Sequence, residues 1–310
     1  MSFFSGYQFF VYLIILLIPA AVIGLQGKSL RMYRMILTAL FIYVIYRDTP
    51  EQLAYLLVYA VGAVCLVKAY TLVRAKYGKD RRLYALAAAL SVVPLVLSKW
   101  SGLYGGTLFS FLGISYIFFR VIQVIVEIYD GVITEISTAQ FLMFLLFFPS
   151  LSSGPIDRSR RFEEDDERIW TCSEYAELLN DGIYKLVLGL FYKVVCSSLF
   201  YQLLNSVFAE RYSPLYLAGY SYAYGLYMFF DFAGYSSMAV GTSYILGIRM
   251  PDNFNKPFLS VDIKDFWNRW HITLSSWFRD FIFTLFVLDS VRKKRFKTRL
   301  CCATAGLNLK

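Results

Sequence analysis

The sequence is nearly without histidine. His271 is the only one in 310 residues, so a histidine-rich metal cluster cannot be built from this chain and no metal site is expected. Cysteine is sparse too: Cys65, Cys172, Cys196, Cys301 and Cys302 show no C-x-x-C spacing. Neither a zinc site nor a disulfide framework is indicated, and reduced, structural cysteine is the expectation. Charged residues make up only 17%, where a soluble domain carries about a quarter. The glycine-rich stretch "GLYGGT" at 102–107 lacks the G-x-x-x-x-G-K-[ST] form whose backbone amides cradle phosphate, which leaves a nucleotide site with little support. No polar block exceeds about thirty residues and no internal repeat or low-complexity tract is present, so a soluble domain is not expected.

What is abundant is apolar surface. Hydrophobic residues reach 58% and aromatics 19%, with a mean hydropathy of +0.52. The run "YQFFVYLIILLIPAAVIGL" at 7–25 carries no charge and matches the roughly 20 residues needed to cross a hydrocarbon core of about 30 Å. It lacks the basic n-region and small-residue end of a secretory signal and reads as a retained first helix. Further apolar segments lie at 33–46, 52–73, 83–98, 107–128, 183–208, 214–230, 236–248 and 272–288. The 236–248 segment is short enough to be broken or tilted. An all-α, multi-pass transmembrane protein of the plasma membrane follows, as a single domain over 1–310 with N-terminal helices in 1–130 and a motif-bearing core in 139–289.

The net charge of +9 raises the question of nucleic acid. Its location argues for topology instead, with the lipid bilayer as partner and no nucleic acid: "RAKYGKDRR" (74–82) and "RKKRFKTR" (292–299) are short basic connections between apolar runs, the pattern that marks the cytoplasmic side. Alternation then puts Lys28, Arg31 and Arg34 inside and the N-terminus outside. "AQFLMFLLFFPS" (139–150) is too short to cross and predicts a re-entrant or interfacial helix. The charged segment after it falls on the cytoplasmic side.

His271 lies in "IKDFWNRWHITLSSWFRDFIF" (263–283), among three tryptophans and two arginines. Asp262 and Asp265 suit a helix start, and the pattern predicts one helix from 262 to Phe283. On it Trp267, His271, Leu274 and Phe278 share a stripe, Asn268 and Ser275 flank the imidazole, and Asp265 pairs with Arg269. Two readings stand: a packed histidine donating to a backbone carbonyl, or an ionisable group lining a cavity in the membrane. In "MFFDFAGYSSMAVG" (228–241) Asp231 interrupts an apolar run, either as a carboxylate bridging two helices, with an arginine as its expected partner, or as a polar site in a pathway. In "FFPSLSSGPIDRSRRF" (147–162) a turn at Gly154 and Pro155 precedes Arg158, Arg160 and Arg161. These arginines suit lipid headgroups or the docking of an anionic partner.

The three segments, with "AVGTSYILGI", "NFNKPFLS" and "IKDFWNRWH", resemble the membrane-bound O-acyltransferase family, and within it the teichoic acid D-alanylation branch. The likeness runs over most of 139–283, with a compatible hydropathy pattern upstream. It implies a bundle with a central funnel and no bound cofactor. D-alanine would arrive as a thioester on the phosphopantetheine of a cytoplasmic carrier protein and move outward to a hydroxyl of teichoic acid, in company with other proteins of that pathway. His271 is then the catalytic base. Asn268, Arg269, Trp267, Ser275 and Asp231 contact substrate or line the tunnel, and Arg158, Arg160 and Arg161 dock the carrier. The family pattern carries a second histidine in a later helix, usually assigned the catalytic role, with the residue matched by His271 lining the same tunnel. This chain ends at "RFKTRLCCATAGLNLK" without it, which predicts a truncated polypeptide with little or no transferase activity alone. An O-acetyltransferase of another surface polysaccharide, whose alginate branch shares the D-F-x-G-Y-S words, is the alternative enzyme. A transporter is the alternative outside enzymes, although no repeated half is visible.

Overall fold

The computed structural model describes residues 7–104, 109–207 and 213–283. The basic run 292–299, the end of the 272–288 segment and Cys301 and Cys302 lie outside them. The described residues are helical, with no strand and one isolated backbone bridge. The helices are α1 (Tyr7–Leu25), α2 (Arg31–Tyr46), α3 (Pro50–Tyr77), α4 (Arg81–Leu103), α5 (Ile114–Asp130), α6 (Thr138–Leu146), α7 (Ser159–Glu167), α8 (Cys172–Leu190), α9 (Ser197–Val207), α10 (Pro214–Ile245), α11 (Ile263–Arg269) and α12 (Ile272–Phe278). Two compact units result, one up to Asn253 and one from Phe254 onward.

Among the described residues, three helices are long and apolar enough to cross a membrane: Pro50–Tyr77, Arg81–Leu103 and the continuous Cys172–Ser206. They bury only 33%, 17% and 11% of their apolar windows. A helix that turns most of its apolar surface outward is stable in lipid and a liability in water. Their ends follow local rules. Pro50 opens α3 at a position where its missing N–H is not needed. Asp80 caps α4 by accepting from the Arg82 and Leu83 amides. Thr171 and Glu174 form a reciprocal capping box at the start of α8, which is why the helix begins at 172, ahead of the apolar run at 183.

The segments 214–230 and 236–248 are not separate. They form one 32-residue helix, α10, because the polar residues between them find partners on neighbouring elements. Antiparallel α8 supplies the closest of these, and glycine sets the approach. A Cβ on Gly241 would come within 2.6 Å of the Gly182 carbonyl oxygen, and one on Gly189 within 2.7 Å of that of Gly234. Glycines seven residues apart on each helix thus face each other in two pairs, the small-residue contact that lets membrane helices meet backbone to backbone. Past Leu190 the chain widens into a π-helical turn, Phe191–Cys196, before α9.

α6 has nine residues, too few to cross. Its C-terminal carbonyls are met by the guanidinium of Arg120 on α5, which is 1% exposed and donates to Phe144 O (2.8 Å), Leu145 O (2.9 Å), Ser150 O (2.6 Å) and Ser150 Oγ (2.7 Å). α7 is polar apart from the buried Phe162, yet Asp165 and Asp166 are buried as well. Asp166 accepts from Arg34 at 2.6 and 3.1 Å and pairs with Arg31 at 3.2 Å. Asp165 accepts from Arg249 at 2.7 Å, and that bond raises the Arg249 guanidinium above its ordinary pKa. A buried carboxylate is tolerated on these terms, paired and hydrogen-bonded.

Candidate functional site

The unit from Phe254 onward carries His271. Asp262 accepts from the Asp265 amide at 2.6 Å and Asp265 from the Val261 amide at 3.2 Å, so α11 starts where the acidic pair predicts. Arg269 donates to Asp265 at 2.9 Å. The expected continuous helix over 262–283 does not form. Trp270 is extended (φ −101°, ψ 125°) and His271 left-handed (φ 44°, ψ 52°), and α12 begins only at Ile272. A long-range contact sets the break: Trp270 bridges to Phe254, the Asn255 amide donates to Arg269 O at 3.0 Å, and the Trp270 ring lies 5.2 Å from Phe254, 5.4 Å from Phe266 and 6.4 Å from Phe258.

The stripe of Trp267, His271, Leu274 and Phe278 is therefore split between two helices, and Asn268 and Ser275 do not flank the imidazole along one axis. Trp267 and Asn268 are exposed on α11, and Arg269 is held by Asp265. Ser275 stays tied to His271 through the backbone: its amide and that of Leu274 each donate to His271 O at 3.1 Å. The imidazole sits at the corner, 6.5 Å from the Phe254 ring. A non-glycine residue held left-handed costs on the order of 1–3 kcal/mol and persists where the surroundings fix it. Here the bridge and the aromatic cluster fix it, and a fixed corner gives an imidazole a defined direction.

In the unit up to Asn253, the motif "DFAGYSS" on α10 is a junction. Asp231 accepts from Lys193 in the π turn at 2.5 Å; the expected arginine is a lysine. A Cβ on Gly234 would come within 2.8 Å of the Lys193 amide, so glycine there lets the π turn approach. The Tyr235 hydroxyl meets Ser152 Oγ at 2.7 Å, and Ser237 donates to Lys185 O at 2.8 Å. One face of the motif grips α8 and the π turn, while Tyr235 grips the "SSGPIDR" turn.

That turn also rests on α5, which presents Tyr116, Arg120, Gln123 and Glu127 at 4, 3, 4 spacing. Ser153 bonds Tyr116, Ser150 takes Arg120, and Ser159 Oγ donates to Glu127 at 2.5 Å. Asp157, 1% exposed, accepts from the Arg158 amide at 2.6 Å and from Arg161 Nε at 2.9 Å. Burial pushes the Asp157 carboxyl above the ordinary aspartate pKa, and Arg161 draws it part of the way back. Arg158, Arg160 and Arg161 are thus not one free basic patch. Arg161 is spent on Asp157, Arg158 and Arg160 lie in the field of Glu127, and Arg160 is the exposed member. The sequence reading missed the α5 stripe, Lys193 and Tyr235. The stripe was there to be found: polar residues in "ISYIFFRVIQVIVEIYD" recur at the spacing of one helix face.

The profile of MBOAT, the membrane-bound O-acyltransferase family, matches residues 23–304. The teichoic acid D-alanyltransferase of Bacillus subtilis (strain 168) is 41% identical over 314 residues, covering 98% of this chain and 79% of that protein. The teichoic acid D-alanyltransferase of Streptococcus thermophilus is 40% identical over 301 residues, 94% of this chain and 72% of its own length. A probable alginate O-acetylase of Azotobacter vinelandii is 33% identical over 177 residues, 56% of this chain and 34% of its own length. Matched by the profile over most of its length and by relatives at 40–41% identity of which it covers 72–79%, the chain belongs to the membrane-bound O-acyltransferase family.

Proposed function

We propose that this membrane-bound O-acyltransferase transfers D-alanine to teichoic acid. The observation that carries the reading is the extent of the likeness: teichoic acid D-alanyltransferases match at 40–41% identity over 94–98% of the chain, whereas the alginate O-acetylase of Azotobacter matches 56% of it. The acyl donor in this reading is a thioester on the phosphopantetheine of a D-alanyl carrier protein, and the acceptor is a hydroxyl of the polymer. His271 takes the hydroxyl proton as the new C–O bond forms, and the thiolate leaves with a proton in exchange. Imidazole suits the task because its pKa lies near operating pH. Asn268 and Arg269 orient the thioester or its arm. Arg160, exposed at the start of α7, is the arginine best placed to meet an anionic carrier by electrostatic steering. The topology consistent with the basic loops is multi-pass, with the N-terminus outside.

Membranes containing the native protein, supplied in parallel with carrier-bound D-alanine and with acetyl donors, test the substrate. Label from D-alanine should reach teichoic acid. Transfer of acetyl alone would transfer the assignment to the polysaccharide O-acetylases.

A further inference from the structure

Between α3, α4 and α5 lies a cavity of about 370 Å³ lined by Val58, Tyr59, Gly62, Ala63, Leu66 and Leu90, with Ser91, Pro94, Phe109 and Val121 closing it. Two of its walls, α3 and α4, are candidate membrane spans. Its lining is apolar apart from two hydroxyls. Ser91 spends its own on Ala88 O at 2.7 Å. Tyr59 is 5% exposed, and its hydroxyl has no hydrogen-bond partner among the described residues. A buried donor without an acceptor is costly, all the more so where lipid replaces water. On the Gly62 side an added Cβ would meet nothing within 4 Å. Phe111 packs on the Tyr59 ring at 5.6 Å and Phe109 on Tyr55 at 5.4 Å.

We propose that this cavity binds one ester-linked acyl chain of a membrane lipid, with the ester carbonyl accepting from the Tyr59 hydroxyl. The depth fits. Tyr59 lies nine residues past Pro50, about 13 Å along the helix, and helical side chains tilt toward the N-terminal end. α3 is 28 residues long, roughly 42 Å against a hydrocarbon core of about 30 Å. The hydroxyl is thereby carried toward the boundary of the hydrocarbon layer, where lipid esters sit. The aliphatic side chains and the open space beside Gly62 accept the tail below it. The proposal does not depend on the transfer reaction.

The test reconstitutes the full chain in vesicles of a diester phosphatidylglycerol and, separately, of its diether analogue, then counts lipids retained by native mass spectrometry. The diester should be retained about three- to tenfold better, the size of one hydrogen bond. Tyr59→Phe should equalise the two lipids, and Gly62→Leu, whose side chain enters the open space, should lower retention of both. Equal retention of diester and diether by the unaltered protein overturns the proposal without recourse to a variant. So does undiminished retention in Gly62→Leu that melts like the parent.

Discussion

His271 combines a chemically useful side chain with a backbone that glycine would adopt more easily. At φ 44° and ψ 52° a Cβ costs roughly 1–2 kcal/mol and glycine almost nothing. His271→Gly and His271→Ala both remove the imidazole, so their difference reports the backbone alone. In thermal unfolding in detergent the glycine variant should be the more stable by about 1 kcal/mol; equal stability would mean that the corner is not held left-handed. Asp157 offers a second test. A carboxyl whose folded pKa is raised favours the folded state below the ordinary aspartate value and loses that contribution as pH rises through the folded value. Deleting Arg161 removes what draws Asp157 down, so more charge is buried uncompensated as pH rises. Arg161→Ala should therefore destabilise more at pH 8 than at pH 5. The loss at pH 8 should be about 1–3 kcal/mol, below the figure for fully buried pairs because Arg161 is 37% exposed. Adding Asp157→Asn should flatten that pH dependence. A cost that is the same at both pH values would count against the pair.

At the scale of elements, the contact of α8 with α10 makes the sharpest demand. Gly234→Ala places a methyl within 2.8 Å of both the Gly189 carbonyl oxygen and the Lys193 amide, and overpacking of that kind costs about 1–3 kcal/mol. Gly225→Ala on the same helix meets nothing within 4 Å and should be neutral or gain up to about 1 kcal/mol. Melting temperatures of the two variants check the contrast; a harmless Gly234→Ala would mean that the helices do not meet at these glycines. The same elements show what was legible in the sequence. α1, α3 and α4 stand out because their apolar runs are long and bounded by charge, proline or a cap. The continuity of α10 was hidden because Asp231 looks like an interruption until Lys193 is seen to pair with it. The corner at His271 was hidden for a related reason: nothing in "NRWHIT" disfavours a helix locally, and the break comes from the bridge of Trp270 to Phe254, sixteen positions before it. The α5 stripe was visible in spacing alone and shows its purpose only once the "SSGPIDR" turn lies against it.

At the scale of the molecule, apolar helices facing outward and buried ion pairs under α7 belong to one design. Lipid removes the hydrophobic pressure between helices, so close glycine contacts and satisfied polar groups hold the bundle together. In the unit from Phe254 onward, the chain's single histidine is set at a strained corner beside an aromatic cluster. The account rests on that imidazole handling the proton of acyl transfer. The direct measurement is D-alanine transfer to teichoic acid in native membranes carrying His271→Gln, with protein level and melting temperature matched to the unaltered chain. A general base contributes about 10²–10⁴-fold, so transfer should fall by at least about a hundredfold; activity within about twofold of the unaltered protein would contradict the account.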